Sequence, residues 1–363
     1  MNDSNHKITT TLFITDENPL IVKNGITAAN NSLLRSFKQI PVNIYIYQEE
    51  KFLIYNNGKV STLNHDLLDL NIFNNIIFGS LILTDKFKIN QNINKSVQLS
   101  DCYTHALYMN IRLSIKFGWL DWKSLVKLPV YFFRERKVAK LMQQLIMQTP
   151  RDVAILKKWK ISSKGIPIPN VPILPTKLNK PLFKLEPNIG WCATFMGSYL
   201  KIAKWFFDTI LFSYLKKHQG IKLNIIGAGS QNFVNWIINK DENLRSQIVD
   251  HDYLENLNSF YVSNRVNISP VYKGYGLINK SVEAMACKSL VLGDVTAFNG
   301  LKVNHKESVL IVNNDMQWHE LLDYVFFTMQ EQEYLKITEN AQKIVVAQLS
   351  LSTNNEVLKS ILI

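Results

Sequence analysis

From Trp191 onward the chain alternates strand-like and helix-like segments with little interruption, and nothing else in the sequence limits the fold as tightly. Strand-like runs fall at Trp191–Met196, Lys222–Ile226, Gln247–Val249, Val266–Ile268, Leu290–Leu292 and Val309–Val312. Helical patterns lie between them at Leu200–Lys217, Gln231–Ile238, Tyr253–Tyr261 and Asn279–Cys287, and two more helices follow the last strand. Consecutive parallel strands need a long crossover, which a helix supplies, so strict alternation predicts a parallel, doubly wound α/β sheet.

The first half is less regular. It opens with a strand, Ile8–Ile14, and a helical segment, Ile26–Phe37. Val42–Tyr47 and Phe52–Tyr55 read as strands, with an Asn57-Gly58 turn after the second. Short apolar runs follow at Ile76–Phe78, Leu81–Leu83 and Val97–Leu99, then helical patterns at Tyr103–Phe117 and Pro129–Gln148, and a strand-like run at Val153–Leu156. Gly165–Pro175 contains four prolines and cannot be helical; it reads as a semi-rigid connector near a domain boundary. A chain of 363 residues suits two domains better than one core. The expected division is 1–182 and 183–345, two α/β domains with a cleft between them, plus a C-terminal helix at 346–363 packing back on the N-terminal domain.

Composition narrows the setting. Hydrophobic residues make up 47% and charged residues 19%, a globular balance. Cys102, Cys192 and Cys287 are too few and too scattered for a disulfide framework or a cysteine zinc site, which points to a reducing, cytoplasmic home. The N-terminus lacks the pattern of a secretory signal. The most apolar stretch, Trp205–Leu215, is broken by Asp208 and followed by Lys216 and Lys217, too poor for a spanning helix. The net charge is +12, and residues 112–180 alone hold 15 Lys and Arg against Asp121, Glu135 and Asp152. Such a stretch suits an anionic membrane surface or a phosphate-bearing substrate. Without a zinc finger, an RNP-like motif or aromatic interleaving, nucleic acid is not an expected partner.

The segment richest in chemistry is Pro270-Val-Tyr-Lys-Gly-Tyr-Gly-Leu-Ile-Asn-Lys-Ser-Val-Glu-Ala-Met-Ala286, which follows a strand and opens a helix. Gly274 and Gly276 allow a sharp turn and close approach of backbone to a ligand. Amides and the positive dipole end at the start of the helix can hold a diphosphate, and Lys280 adds a point charge there. Glu283, three residues on, can accept from a ribose diol. Taken singly, these residues describe a glycine turn and an i,i+3 surface pair. Together they describe a nucleotide-diphosphate site.

This segment resembles the nucleotide-sugar signature P-x-x-x-G-x-G-x-x-x-K-x-x-E-A-M-A of GT-B glycosyltransferases, closest to the "glycosyl transferases group 1", retaining family 4-like set of bacterial polysaccharide synthesis. Phe195-Met-Gly197-Ser-Tyr and Leu223-Asn-Ile-Ile-Gly-Ala-Gly229 are similar to other segments of that set; Tyr131–Glu135 and Ile166–Asn170 echo it more weakly. The resemblance implies a GT-B fold, with two Rossmann-like domains facing each other across a cleft. It also implies transfer of a sugar from a nucleotide-diphosphate sugar to a glycan or lipid-linked acceptor, retaining and without a metal or other cofactor. Donor-binding positions would be Gly25, Gly197, Lys273, Gly274, Tyr275, Gly276, Leu277, Ile278, Asn279, Lys280 and Glu283. Lys280 and His105 would be catalytic. Two positions depart from the pattern: Tyr275 stands where many relatives have the first acid of an E-x7-E pair, and Tyr272 where a subset has arginine. Lys273 is then the expected source of charge.

Other candidates have plainer readings. Gly25 sits in an ordinary helix-start loop, His105 is a lone histidine, and Asp101 is either an acceptor base or a loop cap. Glu135, among Arg134, Arg136 and Lys137, reads as part of a solvated charge cluster. Gly227-Ala-Gly229 lacks the rest of a dinucleotide fingerprint, which argues against a dehydrogenase. A nucleotide-sugar 2-epimerase and an inactive nucleotide- or glycan-binding GT-B protein are the alternatives.

Overall fold

The computed structural model describes all residues except 1–9, 22–24, 38–41, 49–50, 57–58, 65–68, 88–92, 100, 176–182, 184–185, 253, 255–256, 273–275 and 363. The chain forms two compact units. One comprises residues 1–108, 122–171 and 349–363; the other comprises 109–121 and 172–348. The split is therefore not sequential.

In the first unit, β1 (Thr11–Thr15) leads to α1 (Gly25–Ser36), then β2 (Val42–Gln48), β3 (Lys51–Asn56), β4 (Lys59–Asn64), β5 (Asn75–Phe78) and β6 (Asn94–Leu99). Helix α2 (Tyr103–Lys116) begins here, and its second half groups with the other unit. Then come α3 (Trp122–Leu141), β7 (Gln144–Met147), α4 (Pro150–Lys158) and β8 (Gly165–Pro167). The sheet order is β4-β3-β2-β1-β5-β6-β7-β8. Strands from β2 through β8 pair in parallel across this order, whereas β2–β3 and β3–β4 are antiparallel. Asn56 pairs with Lys59 across the last hairpin; the expected Asn57-Gly58 turn lies outside the described residues.

Several local expectations fail here for identifiable reasons. Leu81–Leu83 is no strand; it enters a short 3₁₀ turn, Leu83–Asp85. The apolar pattern of Pro129–Gln148 runs on past the end of α3, because Leu145 and Ile146 belong to buried β7 between β6 and β8. Val153–Leu156 is helical, inside α4. Thr149 caps that helix by accepting from the Asp152 N–H, and Pro150 occupies its start.

The second unit contains β9 (Asn188–Cys192), α5 (Gly197–Phe206), a π-helical turn (Phe207–Leu211), α6 (Phe212–Lys217), β10 (Lys222–Ile226) and α7 (Ser230–Lys240). It continues through β11 (Ile248–Asp250), α8 (Leu257–Ser263), β12 (Val266–Ser269), α9 (Asn279–Ala286), β13 (Val291–Asp294), β14 (Leu310–Val312), α10 (Gln317–Asp323) and α11 (Glu331–Gln348). Its six strands run in the order β11-β10-β9-β12-β13-β14, all parallel. Alternation thus yields the doubly wound sheet it predicts. Trp191, Phe195, Phe206 and Phe233 form its aromatic centre, with Phe195 stacked on Phe233 at 4.8 Å.

Strand β9 ends at Cys192, earlier than the apolar run through Met196, and the next residues pack on another loop. The Ala193 N–H donates to the Ile226 carbonyl and the Phe195 N–H to the Ala228 carbonyl. A Cβ at Gly227 would lie 2.0 Å from the Ala193 oxygen. This glycine pair therefore lets two strand-end loops touch, and it is a packing device in this fold.

The last helix, α12 (Leu351–Leu362), belongs to the first unit. Leu358 and Leu362 are buried with Phe13, Leu33, Ile77 and Ile146. The amides of Asn354 and Asn355 donate to the carbonyls of Pro169 and Ser36. Asn75 and Asn94 donate back to the Leu362 and Ile361 carbonyls, so buried amides fix the helix end.

Candidate functional site

In the second unit, the chain runs outward in one direction from β9 through β10 and β11, and in the other from β12 through β13 and β14. Neighbouring strands β9 and β12 therefore mark the topological switch point, where loops at the strands' C-terminal ends diverge and open a crevice. The loop after β9 leads into Gly197, the first residue of α5, with φ +56°. The loop after β12 leads through Gly276, φ +71°, into α9. The fold thus brings Gly197 and the 276–283 segment to the same edge of one sheet. Lys273, Gly274 and Tyr275 lie outside the described residues.

Leu277 is buried, anchoring the loop, and Ile278 precedes α9 without a side-chain cap. A helix start of this kind offers backbone donors and the positive end of its dipole. Asn279 opens the helix, and Lys280 stands in its first turn with 42% of the side chain exposed. The Lys280 ammonium lies 3.2 Å from Glu283 Oε2. That same oxygen accepts from the hydroxyl of buried Tyr261, on α8, at 2.9 Å. Burial pulls the Lys280 pKa down, but the Glu283 carboxylate and Cys192 outweigh it, and the net shift is upward. The lysine therefore stays cationic. Beneath it, Cys192, Tyr261, Ser269 and Ser281 line a cavity of about 10 Å³, and Ser269 and Ser281 share a hydrogen bond at 2.9 Å. A space of that size is a packed floor, so a ligand held here lies above it.

Tyr272 explains one departure from the family pattern. Its φ of +41° is rare for a bulky residue and costs on the order of 1–3 kcal/mol. Asp294 Oδ1 accepts from the N–H groups of Val271 (2.7 Å) and Tyr272 (3.4 Å). The Tyr272 hydroxyl donates to Asp315 at 2.9 Å and accepts from the Trp318 indole at 3.2 Å. Burial, then Asp315, drive this phenol's pKa upward, so it remains a donor. Its ring stands edge-on to Trp205 at 5.2 Å. The Lys116 ammonium sits 5.5 Å from its centre and 5.8 Å from that of Trp205. Tyr272 thus clamps the loop, and Lys116 brings a cation to its ring. Sequence reading placed Lys116 only in the basic stretch; no spacing rule links it to a loop more than 150 residues later. Asp294, Asp315 and Tyr261 were likewise unmarked.

The remaining candidates lie in the first unit. Gly25 opens α1 after β1, and His105 lies in the first turn of α2 after β6. The Trp159 indole donates to His105 Nδ1 at 3.3 Å, which places the neutral ring's proton on Nε2. Burial, Arg151 and Lys158 all lower its pKa, so the ring is neutral. Glu135 corrects an expectation: it is 1% exposed, no part of a solvated cluster. It accepts from the N–H groups of Tyr103 (2.7 Å) and Thr104 (3.0 Å), capping α2 from across space. Burial, then Asp152 and Glu135, push the Asp101 carboxyl up to about 8.

Two Rossmann-like units define a class. Sucrose-phosphate synthase from Thermosynechococcus elongatus is similar at TM-score 0.70 and 12% identity, over 97% of this chain and 98% of that one. HepE from Anabaena, solved with UDP and glucose, is similar at TM-score 0.61 and 11% identity, over 97% and 98%. A TarM variant from S. aureus, solved with Fondaparinux, alpha-GlcNAc-glycerol and UDP, gives TM-score 0.60 and 14% identity over 88% of this chain; the match spans 66% of TarM's own length. The fold is that of the GT-B glycosyltransferases. Residues 186–325, all within the second unit, match the family model described as Glycosyl transferases group 1. No curated protein matches the sequence.

Proposed function

We propose that the chain transfers a sugar from a nucleotide-diphosphate sugar to a glycan or lipid-linked acceptor. The observation that carries this reading is the 276–283 segment: an uncapped helix start, Lys280 and Glu283 at the switch point of a group 1 domain. Departure of the nucleoside diphosphate develops negative charge on its phosphates. The dipole end of α9 and the cationic Lys280 stabilise that charge, and a divalent metal has no further task in this scheme. Glu283, oriented by Tyr261, receives the ribose hydroxyls. The reaction retains anomeric configuration, and the acceptor hydroxyl passes its proton to the departing phosphate. The setting is bacterial surface polysaccharide synthesis, in the cytoplasm at the inner face of the membrane.

The decisive experiment is a thermal-shift panel of UDP-, GDP-, TDP- and ADP-sugars, followed by turnover of the best binder in EDTA, with and without acceptor glycans. One donor class should stabilise the protein, and activity should need an acceptor and persist in chelator. Turnover without acceptor would point to the epimerase alternative. Loss of activity in EDTA, restored by Mn²⁺ or Mg²⁺, would overturn the metal-free scheme.

A further inference from the structure

Helix α3 has two unlike faces. Its inner side buries Ser124, Glu135, Val138 and Ala139 and packs Tyr131 and Phe132 on the core of the first unit. Its outer side carries Trp122, Val126, Val130 and Phe133, which are 65%, 69%, 61% and 68% exposed. Steps of four, four and three residues place these side chains in one apolar stripe. Lys123, Lys127, Arg136, Lys137 and Lys140 are exposed along the same helix. Its one acid, Glu135, points inward. Arg134 is held by Asp85 at 2.6 Å. The exposed side therefore offers large apolar groups and cations, and no acidic group of its own.

We propose that α3 is a membrane-docking helix that lies along an anionic lipid surface, with Trp122, Val126, Val130 and Phe133 entering the headgroup–acyl boundary and the lysines meeting lipid phosphates. This deepens the peripheral-membrane part of the reading above and does not depend on the donor's identity. Charge complementarity selects the occupant. A second copy of the same face would set lysines against lysines, and a nucleic acid would satisfy the cations while leaving the apolar stripe in water. An anionic bilayer meets both needs, because its phosphates pair with the lysine heads while its hydrocarbon takes the stripe. Among the described residues no helix is long and apolar enough to cross a membrane, and lying in the interface requires no such length.

The test is flotation of the full chain with phosphatidylcholine vesicles, with and without phosphatidylglycerol, at low and high salt. Wild type should float only with the anionic lipid and less at high salt. Trp122→Ser with Phe133→Ser, and separately Lys123→Gln with Lys127→Gln and Lys137→Gln, should retain the wild-type melting temperature and nucleotide-sugar binding. The triple lysine variant should partition on the order of a hundredfold more weakly, each surface cation being worth about fivefold. If wild type floats and both variants float equally well, α3 is not the docking element although peripheral attachment stands. If wild type never floats, both ideas fail. Concentration-dependent dimerisation abolished by Trp122→Ser with Phe133→Ser would make this face a self-association surface and overturn the proposal.

Discussion

The edges where the parallel strands of the two sheets end are built from opposite chemistry. In the second unit, that edge presents an uncapped helix start and a lysine that Glu283 keeps charged. In the first unit, the ends of β6 and β7 lead to Asp101 and Asp152, and Glu135 reaches them from α3. Burial and mutual repulsion raise the Asp101 carboxyl to about 8, and His105 beside this region is held neutral. One edge is electropositive and open; the other is acidic, crowded and partly protonated. The proposed diphosphate site therefore suits the first edge, because the second would set that charge against the Asp101, Glu135 and Asp152 carboxyls. The lesson is that two sheets built alike can carry opposite edge chemistry, according to where their carboxyl groups are buried.

That contrast can be broken most directly at Lys280. Lys280→Ala should leave the fold intact and lower turnover by about a hundredfold or more, since a donor aimed at developing charge contributes about 2.7–4 kcal/mol. Glu283→Ala should cost somewhat less, about 1.5–3 kcal/mol in donor binding and turnover combined. Steady-state kinetics with matched circular dichroism spectra checks both, and normal kinetics in each would remove this edge as the donor site.

In the first unit the comparison calls for effects on stability, with donor affinity spared. Glu135→Ala uncaps α2 inside the protein and should destabilise by about 2–3 kcal/mol in urea titrations. Unchanged unfolding midpoints would show that the buried cap is dispensable.

Asp101 sharpens the point through pH. Its pKa in the folded chain, about 8, lies above the ordinary 3.8, so the folded state holds this proton more tightly than the unfolded state does. The resulting stability is complete below pH 3.8 and is lost as pH rises toward 8. Asp101→Asn should therefore be more stable than wild type at pH 8, by on the order of 5 kcal/mol, with the gap narrowing as pH falls and closing only toward 3.8. A gap that stays constant with pH would mean the carboxyl is ionised throughout.

The smallest effect is expected at the loop clamp. Tyr272→Phe removes two hydrogen bonds from the hydroxyl, to Asp315 and from Trp318, and should cost about 1 kcal/mol in stability with a few-fold weaker donor binding. Isothermal titration with the nucleotide sugar found in the thermal-shift panel measures it. Wild-type affinity would confine Tyr272 to a packing role.

Much of the second unit was legible because its signals are local. A strand is four or five apolar residues, a crossover is one helix, and the Gly276–Glu283 spacing is written within a single loop and helix turn. Where β and helical periods abut, the local signal misleads. Leu145 and Ile146 continue the α3 pattern although they lie in β7, and Val153–Leu156 reads as a strand although Thr149 and Pro150 start a helix there. Pairing with β6 and β8 settles the first case and the cap settles the second.

What the sequence by itself determined is the doubly wound sheet and the position of the 276–283 segment at the start of a helix after β12, because both rest on period and spacing within a few tens of residues. Only the tertiary structure decided the rest. It brought Tyr261 onto Glu283, Asp294 and Asp315 onto Tyr272, and Lys116 over the ring of Tyr272. It turned Glu135 from an apparent surface charge into the buried cap of α2, and returned the last helix to the first unit. These contacts join residues far apart in sequence. Their energies depend on burial and on oxygen and nitrogen atoms meeting at about 3 Å, which no pattern along one chain encodes.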